Sequence, residues 1–119
     1  MKPSPLRDKS ASFAKSIVFA VRAMRENKIE SVLTNQLLRA GTSVGANIHE
    51  AQFAQGGRDF VAKLEISLKE CNECEYWLNL LKETDSIAES DYKDLMNQCT
   101  ELRRMLVSSI NTMKSKDSQ

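Results

Sequence analysis

Few residues of this 119-residue chain are equipped for chemistry, and their spacing decides what they can do. Cys71 and Cys74 form a C-x-x-C pair, with Cys99 and His49 as the remaining thiol and imidazole. A C-x-x-C pair beside a strand reads as a redox site, and two such pairs, or one pair with two histidines, read as zinc ligands. This pair lies inside a helical repeat with no strand nearby, and an odd number of cysteines makes a poor disulfide framework. Core packing is the favoured reading, because free cysteine is among the most buried residue types. His49 stands beside Glu50 as a nominal acid–base pair. Neighbours on a helix point about 100° apart, however, and no nucleophile accompanies them. No catalytic residue, metal site or cofactor is expected, and no small-molecule substrate is evident.

A more informative constellation is a polar row. On a helix, Arg39, Ser43, Asn47 and Glu50 fall within an arc of roughly 80°, flanking the apolar stripe of the same segment. The Arg39 guanidinium offers a fork of donors to Glu50, or to Glu70 and Glu73 further along the chain. The expected arrangement is a buried polar network of Arg39, Ser43, Asn47, Glu50, Glu70 and Glu73. A di-iron centre is the rival, but it needs Glu-x-x-His pairs on facing helices, and the sequence has none. The small residues Ala40, Gly41, Ser43, Gly45 and Ala46 allow close approach of another helix, which would offset the cost of about 1 kcal/mol that each interior glycine carries. A second set is cationic. Lys15, Arg22, Arg25, Arg103 and Arg104 are positioned as phosphate contacts for RNA or DNA, although mixed charge on a solvent-facing surface explains them more simply.

Four amphipathic helices must position these groups. Phe13, Ile17, Ala20 and Met24 share one helical face and predict a helix over about 10–27. Leu33, Leu37, Ala40, Val44, Ile48 and Ala51 predict a second over 31–53, ended by Gly56-Gly57. Phe60, Leu64, Ser67, Cys71, Cys74, Leu78 and Leu81 alternate steps of four and three over 59–83, a heptad seam. Tyr92, Leu95, Cys99, Leu102, Leu106, Ile110 and Met113 predict the fourth over 89–114, with frayed termini. Short connections between helices of similar length imply an all-α, up-down-up-down antiparallel four-helix bundle as a single domain over 1–119. Seventeen Lys and Arg against sixteen Asp and Glu disfavour a polycationic nucleic-acid binder. The apolar run Ile17–Val21 is too short for a membrane helix and lacks a signal-peptide cleavage site, so a cytoplasmic location without membrane association is expected.

The stretch Leu37-Leu38-Arg39-Ala40-Gly41-Thr42-Ser43-Val44-Gly45-Ala46-Asn47-Ile48-His49-Glu50-Ala51 resembles the second-helix signature of the bacterial four-helix-bundle family named for proteins encoded in 23S rRNA intervening sequences (S23-like proteins). Asp59–Leu64 followed by Lys69-Glu70, Glu73 and Tyr76–Leu81 resembles the third helix of that family. Departures are Ala40, Gly56-Gly57 and Cys74. The resemblance implies a closed bundle that assembles as a homo-oligomer, a ring of five, with no reaction attached. It also links the chain to the similar accessory protein of diversity-generating retroelements, which engages nucleic acid and a reverse transcriptase.

Large side chains off the core seams point the same way. Phe19 on the first helix and Ile66, Trp77 and Leu80 on the third lie about 100° or more from their seams, and are expected at an oligomer interface. Residues 1–28 carry seven Lys and Arg against two Asp and Glu, while residues 59–91 carry three against nine, so the two helices have opposite charge. The expected function is a non-enzymatic oligomeric scaffold or interaction module. The alternative is an RNA- or DNA-binding accessory protein associated with ribosomal RNA or a reverse transcriptase.

Overall fold

Ser4 sets where the first helix begins. Its hydroxyl accepts the Arg7 backbone N–H at 3.2 Å, and Pro5 fills the first helical position, where no amide donor is needed. In the computed structural model, which describes residues 4–117, helix α1 therefore spans Pro5–Glu26, starting earlier than the apolar periodicity alone indicates. Helix α2 spans Ser31–Ala51 and stops two residues short of the expected 53, with the Gln52 and Phe53 amides turning back onto the His49 and Glu50 carbonyls. Gly56 takes φ 139°, a conformation that side chains resist, which frees α3 to start at Gly57 and run to Glu83. Helix α4 spans Glu89–Asp117, continuing three residues past the expected end at 114. No strand occurs among the described residues. The expected fraying at residues 1–3 and 118–119 lies outside them.

Helix α1 packs on α2 and α4, and α3 packs on the same two, in a rod of 52 × 24 × 22 Å. Neighbouring helices pair in opposite order. Gly41 faces Ile17 while Gly45 faces Ser10, Val44 meets Ser67 while Glu50 meets Lys63, and Asn79 meets Tyr92 while Glu65 meets Lys114. The core is built from the periodic positions: Phe13, Ile17 and Met24 of α1, Leu37, Val44 and Ile48 of α2, Leu64, Leu78 and Leu81 of α3, and Leu95, Leu102 and Leu106 of α4 are buried. Some seam ends depart from the pattern. Val61 is buried in place of Phe60, which is half-buried, as are Leu33, Tyr92 and Met113. These residues lie near helix ends, where fewer neighbours cover them.

The small residues of α2 do allow close packing. A Cβ at Gly41 would lie 2.7 Å from Cγ1 of Ile17, and one at Gly45 would lie 3.2 Å from the Ser10 carbonyl oxygen. Across the opposite seam, Ser67 is buried, and its hydroxyl donates to the Val44 carbonyl at 2.8 Å. Ser67 thus replaces an apolar core residue without leaving a polar atom unpaired.

Candidate functional site

The polar row of α2 divides into separate groups. Arg39 reaches α3, donating to Glu70 at 3.1 Å and to Glu73, and Glu73 also accepts the Trp77 indole N–H at 3.3 Å. The hydrogen bond from Arg39 holds the Glu73 carboxyl below the usual carboxylate range, against the opposing effect of partial burial. Three members of the expected network, Ser43, Asn47 and Glu50, are elsewhere. The Asn47 amide donates to the Ser43 carbonyl within its own helix, and Glu50 is 62% exposed and pairs with Lys63 at 3.0 Å. Arg39 itself keeps 48% of its side-chain surface in water. The expectation of one buried network is therefore corrected to two surface ion-pair groups. The cause is geometric: the row flanks the core seam, so its long side chains reach the rim of the α2–α3 interface. The polar contact that does enter that interface is Ser67 with Val44, visible in the sequence only as a serine at a heptad position.

The cations also sort by partner. Arg25 bonds Thr34 and Asn35 across the α1–α2 turn, and Arg103 pairs with Glu75, so both are engaged within the fold. Arg22 lies 5.9 Å from the ring centroid of Phe19, which is 66% exposed. Lys15 and Arg104 are exposed. Lys15, Phe19 and Arg22 fall within an arc of about 60° on the outer face of α1, a cation–aromatic–cation stripe.

On α3, Ile66 is 44% exposed, whereas Trp77 and Leu80 are half-buried by their own chain. Tyr76, at 61% exposure, stands edge-on to Trp77 with ring centroids 5.0 Å apart. Sequence reading overlooked Tyr76 because its hydroxyl makes exposure unremarkable. It nonetheless adds a large exposed ring to α3.

Cys71, Cys74 and Cys99 are free and fully buried between α3 and α4, with the Cys99 thiol 3.3 Å from the Cys71 carbonyl oxygen. Hydrogen bonding to Cys99, reinforced by burial, holds the Cys71 and Cys74 thiols well above the usual thiol range. The Cys99 thiol donates to the Cys71 carbonyl oxygen, so the trio packs as protonated thiols in the core. Among the described residues, no group of three His, Cys, Asp or Glu side chains is arranged to hold a metal ion. His49 and Glu50 line a shallow groove with Phe53, Asp59 and Lys63, and His49 stands edge-on to Phe53 at 5.3 Å. No Ser or Cys lines that groove to act as a nucleophile.

Among the described residues, no helix is long and apolar enough to cross a membrane. Comparison with known proteins supplies the family. The chain is similar to a protein with unknown function from the S23 ribosomal protein family of Bacteroides thetaiotaomicron, whose 1.70 Å crystal structure matches with a TM-score of 0.85. Identity is 46%, covering 88% of this chain and 97% of that one. No curated protein matches the chain. The family model described as 23S rRNA-intervening sequence protein matches residues 5–108. With both helix blocks inside that span, the chain belongs to the family of 23S rRNA-intervening sequence proteins.

Proposed function

We propose that this protein is a non-enzymatic interaction module, an up-down-up-down antiparallel bundle that works as a homo-oligomer in the cytoplasm. The observation that supports this reading is apolar surface left outside a well-filled core. Phe19 stands exposed on the basic α1, and Ile66 and Tyr76 stand exposed on α3, within the acidic part of the chain. Exposed aromatic and aliphatic side chains on faces of opposite charge suit a contact between copies. If α1 of one copy meets α3 of the next, the contact is head to tail, the kind that forms a ring when its rotation closes. A ring of five follows the family resemblance. Sedimentation at micromolar concentration tests the proposal: a discrete oligomer is expected, and a 13.4 kDa monomer would overturn it.

A nucleic-acid accessory role is a second reading, supported by the Lys15–Phe19–Arg22 stripe. An exposed ring flanked by cations can stack on a base while the cations contact phosphates. Weak binding to structured RNA or duplex DNA is expected, falling steeply between about 50 and 200 mM salt as counterions are no longer released to advantage. Arg22→Ala should weaken it, while Arg103→Ala should leave it unchanged because Arg103 is occupied by Glu75. No association in a polarisation assay at about 50 mM salt would remove this reading.

A further inference from the structure

Where α1 begins, the bundle is incompletely covered. The α1 cap Ser4, Pro5 and Leu6 of α1, Phe60 and Leu64 of α3, and Arg104 and Met105 of α4 surround an opening of about 550 Å³. Two smaller depressions adjoin it, of about 260 and 330 Å³, sharing Phe60 with it and lined without α1 residues as far as Met113. Together they form an elongated groove crossing Phe60, which remains half-buried for want of a helix above it. The size of the main opening falls within the roughly 300–1,000 Å³ of small-molecule sites. Its floor is apolar, with Leu64 buried and Leu6 and Phe60 packed on the core.

The charge along the groove is one-sided. Among the described residues, Arg104 is the single charged residue lining the three depressions, and no Asp or Glu lines any of them. Arg104 pairs with no carboxylate among the described residues, whereas its neighbour Arg103 is taken by Glu75. Ser108 and Ser109 add hydroxyl donors on the same wall. One cation with two hydroxyls at the mouth, and an apolar path leading away, match a ligand with one negative charge and a single hydrocarbon chain. Polyphosphates would demand more cations, and a neutral hydrocarbon would leave Arg104 unused.

We propose that this groove binds a free medium-chain carboxylate, with the carboxylate at Arg104 and the chain laid across Phe60 toward Met113. The site is independent of the oligomer reading, since it uses neither Phe19 nor the outer face of α3. The test is methionine-methyl NMR of the intact protein titrated with decanoate below its aggregation threshold. Met105 and Met113 line the groove, while Met24 is buried in the core at the opposite end of α1 and serves as the internal control. Saturable shifts of the Met105 and Met113 methyls are expected, with Met24 unmoved. Arg104→Ala, an exposed position, should weaken decanoate about tenfold through loss of a charge-assisted bond, and should leave the affinity for decanol unchanged. Absence of saturable shifts at Met105 and Met113 would overturn the site. Equal affinity for decanol and decanoate in the unaltered protein would overturn the role of Arg104 and with it the carboxylate assignment.

Discussion

Arg39 lies between Glu70 and Glu73 at the rim of the α2–α3 interface, and water sets what that contact contributes. With the guanidinium half in solvent, Arg39→Ala should cost about 1 kcal/mol in urea denaturation. Breaking a fully buried pair costs 3–5 kcal/mol, by rough comparison. The pH dependence follows from Glu73, whose folded-state ionisation is lowered from the ordinary 4.5 chiefly by the Arg39 hydrogen bond. A lowered carboxylate stabilises the fold in full above its unfolded value, and that contribution is lost as pH falls through the folded value. The gap between the unaltered protein and Arg39→Ala should thus be constant near neutrality and narrow in acid below 4.5. A gap that persists unchanged in acid would show that packing of the Arg39 stem, not charge, carries the effect. The cysteines give a second prediction at this scale. All three thiols are enclosed, so a bulky aromatic disulfide reagent should label none of them in the native protein and all three in urea. Rapid native labelling would mean that the α3–α4 seam opens readily.

The packing of α1 on α2 rests on glycine where other residues would collide. At Gly41 a methyl group would meet Cγ1, Cγ2 and Cδ1 of Ile17 at 2.7, 2.9 and 3.0 Å. The γ carbons hang on a stiff β-branched centre and cannot both rotate away. Alanine gains about 1 kcal/mol in helix propensity, but overpacking of this kind costs about 1–3 kcal/mol. Gly41→Ala should therefore be neutral to destabilising by about 2 kcal/mol, and Gly41→Val clearly worse. At Gly45 only the Ser10 carbonyl oxygen is tight, at 3.2 Å, with the Ser10 carbonyl carbon and Oγ at 3.5 and 3.6 Å, so alanine there should change stability by under about 1 kcal/mol. Thermal denaturation of the variants separates them, and a marked stabilisation by Gly41→Ala would mean that the helices are free to part. This close approach was legible in the sequence, as were the buried seams, because both follow from residue size at helical spacing. The choice of ion-pair partners was legible only in part. Arg39 takes Glu70 and Glu73, one of the two alternatives its spacing offered, but Glu50 pairing with Lys63 and Arg103 with Glu75 depend on how far one helix slides along another, and apolar periodicity leaves that slide undetermined. The start of α3 was likewise hidden, because Gly56 rather than Gly57 supplies the left-handed turn.

On the scale of the whole molecule, a net charge of +1 conceals two opposed halves, and that asymmetry suggests how copies would meet. Trp77 is a poor probe of such a contact, because it is half-buried and bonded to Glu73, so its removal would damage the bundle itself. Ile66 and Phe19 are better, since both side chains stand in water and replacing them should shift stability by only about 0.5 kcal/mol. If α1 of one copy docks on α3 of the next, Ile66→Asp spoils one side of every junction and Phe19→Asp spoils the other. Each variant alone should sediment as a 13.4 kDa monomer with undiminished helical content. Their mixture is the decisive case. The Ile66→Asp chain keeps an intact α1 face and the Phe19→Asp chain keeps an intact α3 face, so the two can form one sound junction and then stop. A heterodimer that forms only on mixing, and loosens with added salt, is expected. Were the contact made by like faces, α3 on α3, Phe19→Asp would assemble normally and mixing would create nothing new. Monomers throughout, including the unaltered chain, would instead leave the exposed rings to some other partner.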